Sequence, residues 1–271
     1  MPELPEVETV RRSLNRLVRG KRFESLCVFY PPMSRVPEAL LQKTLKHKTL
    51  EDISRRGKTL LFAFEDERLL VHLRMEGKFH LRTLAHERTK HEHWMMAFTD
   101  DTALWYHDVR KFGTLDLRRA DTVFETQPLS RLGPEPDDPS LDVDYLRRRM
   151  RSERTVKAVL LDQSVIAGIG NIYADEILFC AGIDPNRPAK RLKRTQCEKL
   201  LACTRDILKE AVALGGASVH TYRDTLGIDG RFQTRLKVHL RAGKPCPVCH
   251  EAIEKIRVAG RGTYRCRRCQ H

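Results

Sequence analysis

Residues 246–269 read CPVCHEAIEKIRVAGRGTYRCRRC. Two Cys-x-x-Cys pairs, Cys246/Cys249 and Cys266/Cys269, flank a spacer of sixteen residues. Each pair fits a short knuckle. Two knuckles can present four thiolates at the corners of a tetrahedron, which is the geometry Zn²⁺ prefers. Four thiolates leave no open coordination position, so one structural zinc is expected, not a catalytic metal. A stretch this short has too few apolar side chains to fold alone and needs such a staple. The spacer carries Arg257, Arg261 and Arg265, and Arg267 and Arg268 lie inside the second pair. A braced hairpin tipped with arginine suits the phosphates of nucleic acid.

The charge distribution agrees. The 271-residue chain has a formal net charge of +14. Residues 1–185 hold 30 Lys/Arg against 29 Asp/Glu, whereas residues 186–271 hold 20 against 7. The excess is therefore concentrated in the last third, which points to a polyanionic partner. A basic, merely soluble surface is the plainer reading of the same numbers. Hydrophobic residues make up 41% of the chain, enough for a buried core. No apolar run approaches the roughly 20 residues of a membrane span. The opening MPELPEVETV has neither the basic nor the apolar region of a secretory signal, so a cytoplasmic protein is expected. Cys27, Cys180, Cys197 and Cys203 are scattered and suggest no disulfide framework.

Moving outward from the ribbon, residues 195–214 form an amphipathic helical pattern closed by Gly215-Gly216. Further helical patterns cover 141–151, 155–162 and 171–182. Residues 133–139, GPEPDDP, hold three prolines and mark a boundary. Before it, residues 22–120 break into short apolar segments separated by polar turns, the pattern of a β-sandwich. Residues 4–19 read as a helix, with Leu4, Val7, Val10, Leu14, Leu17 and Val18 spaced by three and four. An α+β fold is expected. Residues 1–133 would form a helix and β-sandwich domain, 134–235 a helical domain and 236–271 the zinc ribbon.

Seven stretches, colinear over nearly the whole chain, carry a family resemblance. They are MPELPEVETVRR at the start, SRRGK at 54–58, HLRMEGK at 72–78, DVRKFGT at 108–114, LGPEP at 132–136, GIGNIYADE at 168–176 and AGRGTYRC at 259–266. Together they resemble formamidopyrimidine-DNA glycosylase. The resemblance implies a bifunctional base-excision glycosylase and abasic-site lyase acting on duplex DNA with damaged bases. It also implies a helix–two-turn–helix element within the helical domain, and a monomer.

The resemblance further implies that Met1 is removed and that Pro2 becomes a secondary-amine nucleophile. An α-amino group has a pKa near 8, against about 10.4 for lysine, so a useful fraction is unprotonated at neutral pH. Such an amine can attack C1′ of a deoxyribose and form a Schiff base. Without the surrounding motif, Pro2 would be read as a helix-starting proline. By resemblance, Glu3 is the general acid/base at the sugar, Lys58 a proton donor during base loss and elimination, and Arg261 a phosphate contact with a part in δ-elimination. A helix-first-turn acid and a turn lysine are the plainer readings of Glu3 and Lys58.

A glycosylase must draw its target nucleotide out of the stack and fill the gap. The resemblance assigns gap filling to Met75 and Phe112, the orphaned cytosine to Arg110 and a DNA contact to His91. Taken alone, Met75 and Phe112 would be read as core. Gly168-Ile169-Gly170 lacks a third glycine and a preceding strand, so it is no dinucleotide fingerprint. Asn171 fits an N-cap with free N–H groups beside it for phosphate. Residues 217–233 correspond to the lesion-covering loop, with Thr221, Tyr222 and Arg223 as candidate base contacts. Ser152 and Glu153 stand where more basic character is expected, with Arg154 or Lys157 as substitutes for the phosphate contact. The expected substrates are 8-oxoguanine opposite cytosine and formamidopyrimidines. An endonuclease VIII-like preference for oxidised pyrimidines is the alternative within the superfamily. A non-catalytic zinc-ribbon DNA-binding protein is the alternative outside it.

Overall fold

Leu4, Val7, Val10, Leu14 and Val18 share one face of α1 (Leu4–Val18) and are all buried. That face sits on sheet structure because the spacing of three and four residues makes a single apolar stripe. The computed structural model describes residues 1–217 and 230–271. Within the first compact unit, Met1–Ser130, α1 is followed by β1 (Phe23–Val28), α2 (Glu38–Leu45), β2 (Asp52–Arg56), β3 (Thr59–Phe64), β4 (Glu67–His72), β5 (Lys78–Thr83), β6 (Glu92–Phe98), β7 (Thr102–His107) and β8 (Thr114–Arg119). The strands form two four-stranded antiparallel sheets, β1-β6-β7-β5 and β2-β3-β4-β8.

Inward side chains of both sheets and α1 build one core, among them Phe23, Phe62, Phe64, Phe79, Trp94, Tyr106 and Leu115. The expected sandwich is thus present. Trp94 stacks on Tyr106 at 5.2 Å, and Phe79 meets both rings edge-on. The side chain of Asn15 bonds the Ile53 peptide on both sides at 2.8 Å, which fixes α1 against β2. Glu8 adds a second tie by accepting from Arg11, Arg12 and Arg55. Burial opposes its charge, yet those arginines, Arg11 foremost, hold the Glu8 carboxyl below the usual carboxylate range. One segment departs from the expected all-strand character of 22–120. Residues 38–45 form α2, because Leu41 and Leu45, one helical turn apart, are both fully buried.

The second compact unit comprises Arg131–Ala217 and Arg231–His271. It contains α3 (Val143–Arg149), α4 (Val156–Leu160), α5 (Asn171–Ala181), α6 (Arg194–Ala213), β9 (Glu254–Val258) and β10 (Arg261–Arg265). Cys180 on α5 and Cys203 on α6 are joined, with Cα atoms 6.0 Å apart, so two of the four scattered cysteines do form a crosslink. The ribbon packs on the helical part through Phe179, Val238, Ile253 and Tyr264. Among the described residues no helix is long and apolar enough to cross a membrane.

One buried network knits this unit together. Lys157 Nζ lies 2.6 Å from Asp175 and 2.7 Å from the Thr263 hydroxyl, and both ionic side chains have no solvent exposure. Asp175 also pairs with His239 at 2.7 Å and accepts from the Tyr264 N–H. Next to it, Glu176 accepts three successive backbone N–H groups, from Lys237, Val238 and His239. Replacing Lys157 by Met should cost about 3–5 kcal/mol, since a buried carboxylate then loses its counter-charge. Denaturation midpoints of Lys157→Met against Lys157→Met/Asp175→Asn test this. The second change should restore part of the loss.

Candidate active site and nucleic-acid interface

The N-terminal residues are held by the helix they start. Glu3 is the N-cap of α1 and forms a reciprocal capping box with Glu6, whose carboxylate accepts from the Glu3 N–H at 2.8 Å. Glu3 is only 2% exposed and Pro2 is also buried, while Met1 is 49% exposed. Lys58 follows Gly57 in the β2–β3 turn, where Gly57 adopts φ +57°, and is 7% exposed. It is therefore not the solvated turn lysine of the plainer reading. His72 ends β4. Burial, with the charges of Arg74 and Lys58 nearby, lowers its pKa to about 3. Its Nδ1 accepts from the Arg74 N–H at 3.0 Å, as a neutral ring requires.

Met75 and Phe112 lie on two loops mounted on one buried ring. A Cβ on Gly77 would meet the Tyr106 hydroxyl at 2.1 Å, and one on Gly113 would meet it at 1.9 Å. Glycine at both positions lets both loops close on Tyr106. Asp108 then shapes the second loop: fully buried, its carboxylate accepts from the N–H groups of Arg110, Phe112 and Gly113 at 3.0, 2.9 and 2.8 Å. The loop thereby turns Phe112 outward at 51% exposure, with the Arg110 guanidinium 4.8 Å from its ring centre. Such an exposed aromatic is not core. Met75 is half-buried. His91 precedes β6, and its carbonyl accepts from the Asp108 N–H at 2.9 Å, which joins it to the same loop. Adding a methyl at Gly113 should cost about 1–3 kcal/mol by overpacking against a ring that cannot retreat. Gly113→Ala should accordingly lower both the thermal midpoint and the affinity for abasic-site DNA.

In the second unit, Asn171 is the first residue of α5, and Gly170 occupies the N-cap with no side-chain cap. This corrects the N-cap assignment. The Asn171 side chain instead donates to the Gly262 carbonyl of the ribbon hairpin at 2.9 Å. The turn before it is braced by Gln163, which accepts from the Gly168 N–H and donates to the Ile169 carbonyl. Ala259 (φ +48°) and Gly260 (φ +75°) make the tight turn between β9 and β10, placing the exposed Arg261 directly after it. Arg265 is spent internally on Asp184 and Glu254. Lys157, fully buried, is not available as a surface phosphate contact, and Arg154 is paired with Asp162 at 2.8 Å. Thr221, Tyr222 and Arg223 lie outside the described residues. Sequence reasoning missed Asp108, Gln163 and Glu176. An aspartate at the head of a glycine-terminated loop is a turn signal that could have found the first.

Cys246, Cys249, Cys266 and Cys269 bring their sulfurs within 4.8 Å of one another, with Cys246–Cys269 at 3.9 Å and Cys249–Cys266 at 3.4 Å. A tetrahedral zinc with bonds of about 2.3 Å requires sulfur spacings of about 3.8 Å, so the four residues fit one ion. Burial acts to raise the Cys246 thiol, yet N–H groups of Cys249 and Val248 help draw it down to about 7, whereas burial and the neighbouring sulfurs push the Cys269 thiol up and burial foremost raises that of Cys266.

These parts define a class: a sandwich with a buried proline at position 2, just ahead of its first helix, joined in sequence to a helical unit carrying a four-cysteine zinc ribbon. Family profiles match three stretches: the formamidopyrimidine-DNA glycosylase N-terminal domain over residues 1–115, the H2TH domain of the same glycosylase over 132–223, and a zinc finger found in FPG and IleRS over 243–271. The chain belongs to the formamidopyrimidine-DNA glycosylase family, whose members are base-excision repair glycosylases with abasic-site lyase activity. The formamidopyrimidine-DNA glycosylase of Exiguobacterium sibiricum is 46% identical over 100% of this chain and 99% of its own. That of Bacillus cereus is 44% identical with the same coverage. The Lactococcus lactis Fpg bound to DNA containing an abasic site superposes with a TM-score of 0.93 at 43% identity, covering 99% of both chains. A glycine-to-proline variant of the Lactococcus lactis protein, bound to Fapy-dG DNA, gives 0.94 over 100% of both.

Proposed function

We propose that this chain excises oxidised purines, 8-oxoguanine opposite cytosine and formamidopyrimidines, from duplex DNA in the cytoplasm, and nicks the strand by β,δ-elimination as a monomer. Relatives solved with abasic and Fapy-dG DNA support the substrate class. The observation that carries the purine reading is the Asp108-organised loop, which presents the Arg110–Phe112 pair to solvent. An arginine can read the edge of an orphaned cytosine while the ring beside it stacks in the gap.

With Met1 removed, the Pro2 nitrogen forms a bond to C1′ and gives up its proton to the Glu3 carboxylate, and the glycosidic bond breaks with its electron pair leaving on the base. Lys58 supplies a proton during base loss. The C1′–O4′ bond then opens, O4′ takes a proton from Glu3, and an iminium remains at C1′. Loss of a C2′ proton expels the 3′ phosphate. A second elimination, with Arg261 on the phosphate, takes the C4′ proton and expels the 5′ phosphate, and water releases Pro2. Met75, Phe112, Arg110, His91 and Asn171 hold the opened duplex, and Thr221, Tyr222 and Arg223 are the proposed base contacts. Residues 1–133 carry the chemistry, 134–235 the helical grip and lesion loop, and 236–271 the zinc-braced phosphate contact.

A damage panel tests the reading. Duplexes with 8-oxoguanine opposite cytosine and with formamidopyrimidine should be nicked faster than duplexes with oxidised pyrimidines. The reverse order would assign the chain an endonuclease VIII-like preference, and no nicking at abasic sites would leave only a DNA-binding protein.

A further inference from the structure

The sequence runs Arg147-Arg148-Arg149-Met150-Arg151 through the end of α3. Basic residues in a last helical turn offset the negative end of the helix dipole, which accounts for one or two of them. The side chains go further than that. Arg149 is used internally, donating to the carbonyl and hydroxyl of Ser164 at 2.9 Å. Arg147, Arg148 and Arg151 instead wall a cleft of about 320 Å³ whose remaining lining residue is Asp144. Asp144 lies 3.8 Å from Arg147 but is engaged more closely, at 2.8 Å, by Arg194 on α6. Arg148 and Arg151 make no side-chain hydrogen bond or ion pair with any other described residue.

Behind the same wall, Arg147 and Arg151 also border a second cleft floored by Met150, Leu192 and Cys197 and edged by Lys190. The Lys190 ammonium is paired with exposed Glu153 at 2.5 Å. Among the lining residues of the first cleft, three guanidinium groups thus face one carboxylate, which Arg194 engages more closely. Of the cleft's lining residues only Asp144 offsets these like charges, and it lies 3.8 Å from Arg147.

We propose that this arginine cleft binds a phosphodiester of duplex DNA, as a contact separate from the ribbon hairpin. Guanidinium forks match phosphate oxygens in pairs. The arginine-walled cleft offers no aromatic or apolar side chain on which a base could rest, so it suits a backbone phosphate better than a nucleoside. The identity of the partner rests on the DNA-repair reading, whose own failure shows separately, as absence of nicking by the unaltered chain.

The test uses the full-length zinc-loaded protein and undamaged duplex DNA, with affinity measured across salt concentrations. Releasing about 0.9 counterion per phosphate neutralised, the Arg148→Gln/Arg151→Gln variant should flatten the log–log salt slope by about 1 to 2. Arg148→Lys/Arg151→Lys should keep the slope of the unaltered chain, because a point charge also displaces counterions. An unchanged slope in the Gln variant overturns the proposal, as does a Lys variant as flat as the Gln variant. Inorganic triphosphate is the second arm. Triphosphate binding lost in the Gln variant together with an unchanged DNA slope would assign the cleft to a small phosphate compound and overturn the DNA contact.

Discussion

A preparation in which Met1 is retained should form no covalent complex with abasic-site DNA under borohydride, whereas the processed chain should trap through Pro2. A Met1–Pro2 amide nitrogen has no basic lone pair, so neither the attack on C1′ nor the iminium that borohydride reduces can form. Met1 is half-exposed and Pro2 buried, so processing would uncover the amine in place, at the start of a helix whose cap is already made. Intact mass of each preparation identifies its terminus, and efficient trapping by the Met1-retaining form would remove Pro2 from the mechanism. Glu3→Gln in the processed chain keeps a cap acceptor for α1 but cannot donate a carboxyl proton. Its single-turnover excision should fall by about 10²–10⁴-fold, the range for a positioned acid/base group, with little change in thermal midpoint. An equal loss of midpoint and rate would mean that Glu3 serves the helix alone.

Removing zinc should have the second large effect. Structural zinc sites of this kind supply about 10–16 kcal/mol of apparent binding energy, far more than a hairpin of two five-residue strands can supply. Metal analysis should give one zinc per chain. Chelation, or Cys269→Ser, should unfold the ribbon and abolish tight binding to abasic-site DNA. The damage should also reach the helical part, since Asn171 bonds Gly262 and Lys157 bonds Thr263 of the ribbon. Full DNA affinity in a zinc-free preparation would contradict this account.

Much of this was legible in the sequence because the signals were local. The apolar spacing in α1, α5 and α6 set those helices to within about two residues. The doubled Cys-x-x-Cys carries its own geometry, and the sulfurs do converge. What escaped were features decided by distant partners. Strands β2 (DISRR) and β8 (TLDLRR) are short and polar, and exist because β3 and β4 offer them edges to pair with. Lys157 looks in sequence like any basic residue beside a DNA-binding motif. Only the fold reveals that it points inward at an aspartate eighteen positions away. Asn171 shifted by one position for a similar reason: its amide is used by the ribbon hairpin, so the cap falls to Gly170.

The two glycines that close on Tyr106 have a mechanical consequence. If Met75 and Phe112 enter the duplex as proposed, they do so from a common mounting, because the loops bearing them abut the same buried hydroxyl. That hydroxyl has no hydrogen-bond partner among the described residues, and its ring is clamped between Trp94 and Phe79. Displacing either tip therefore loads the other through a ring with nowhere to go. The pair would work as a two-pronged tool on a single rigid handle, probing base stacks with a fixed span between prongs.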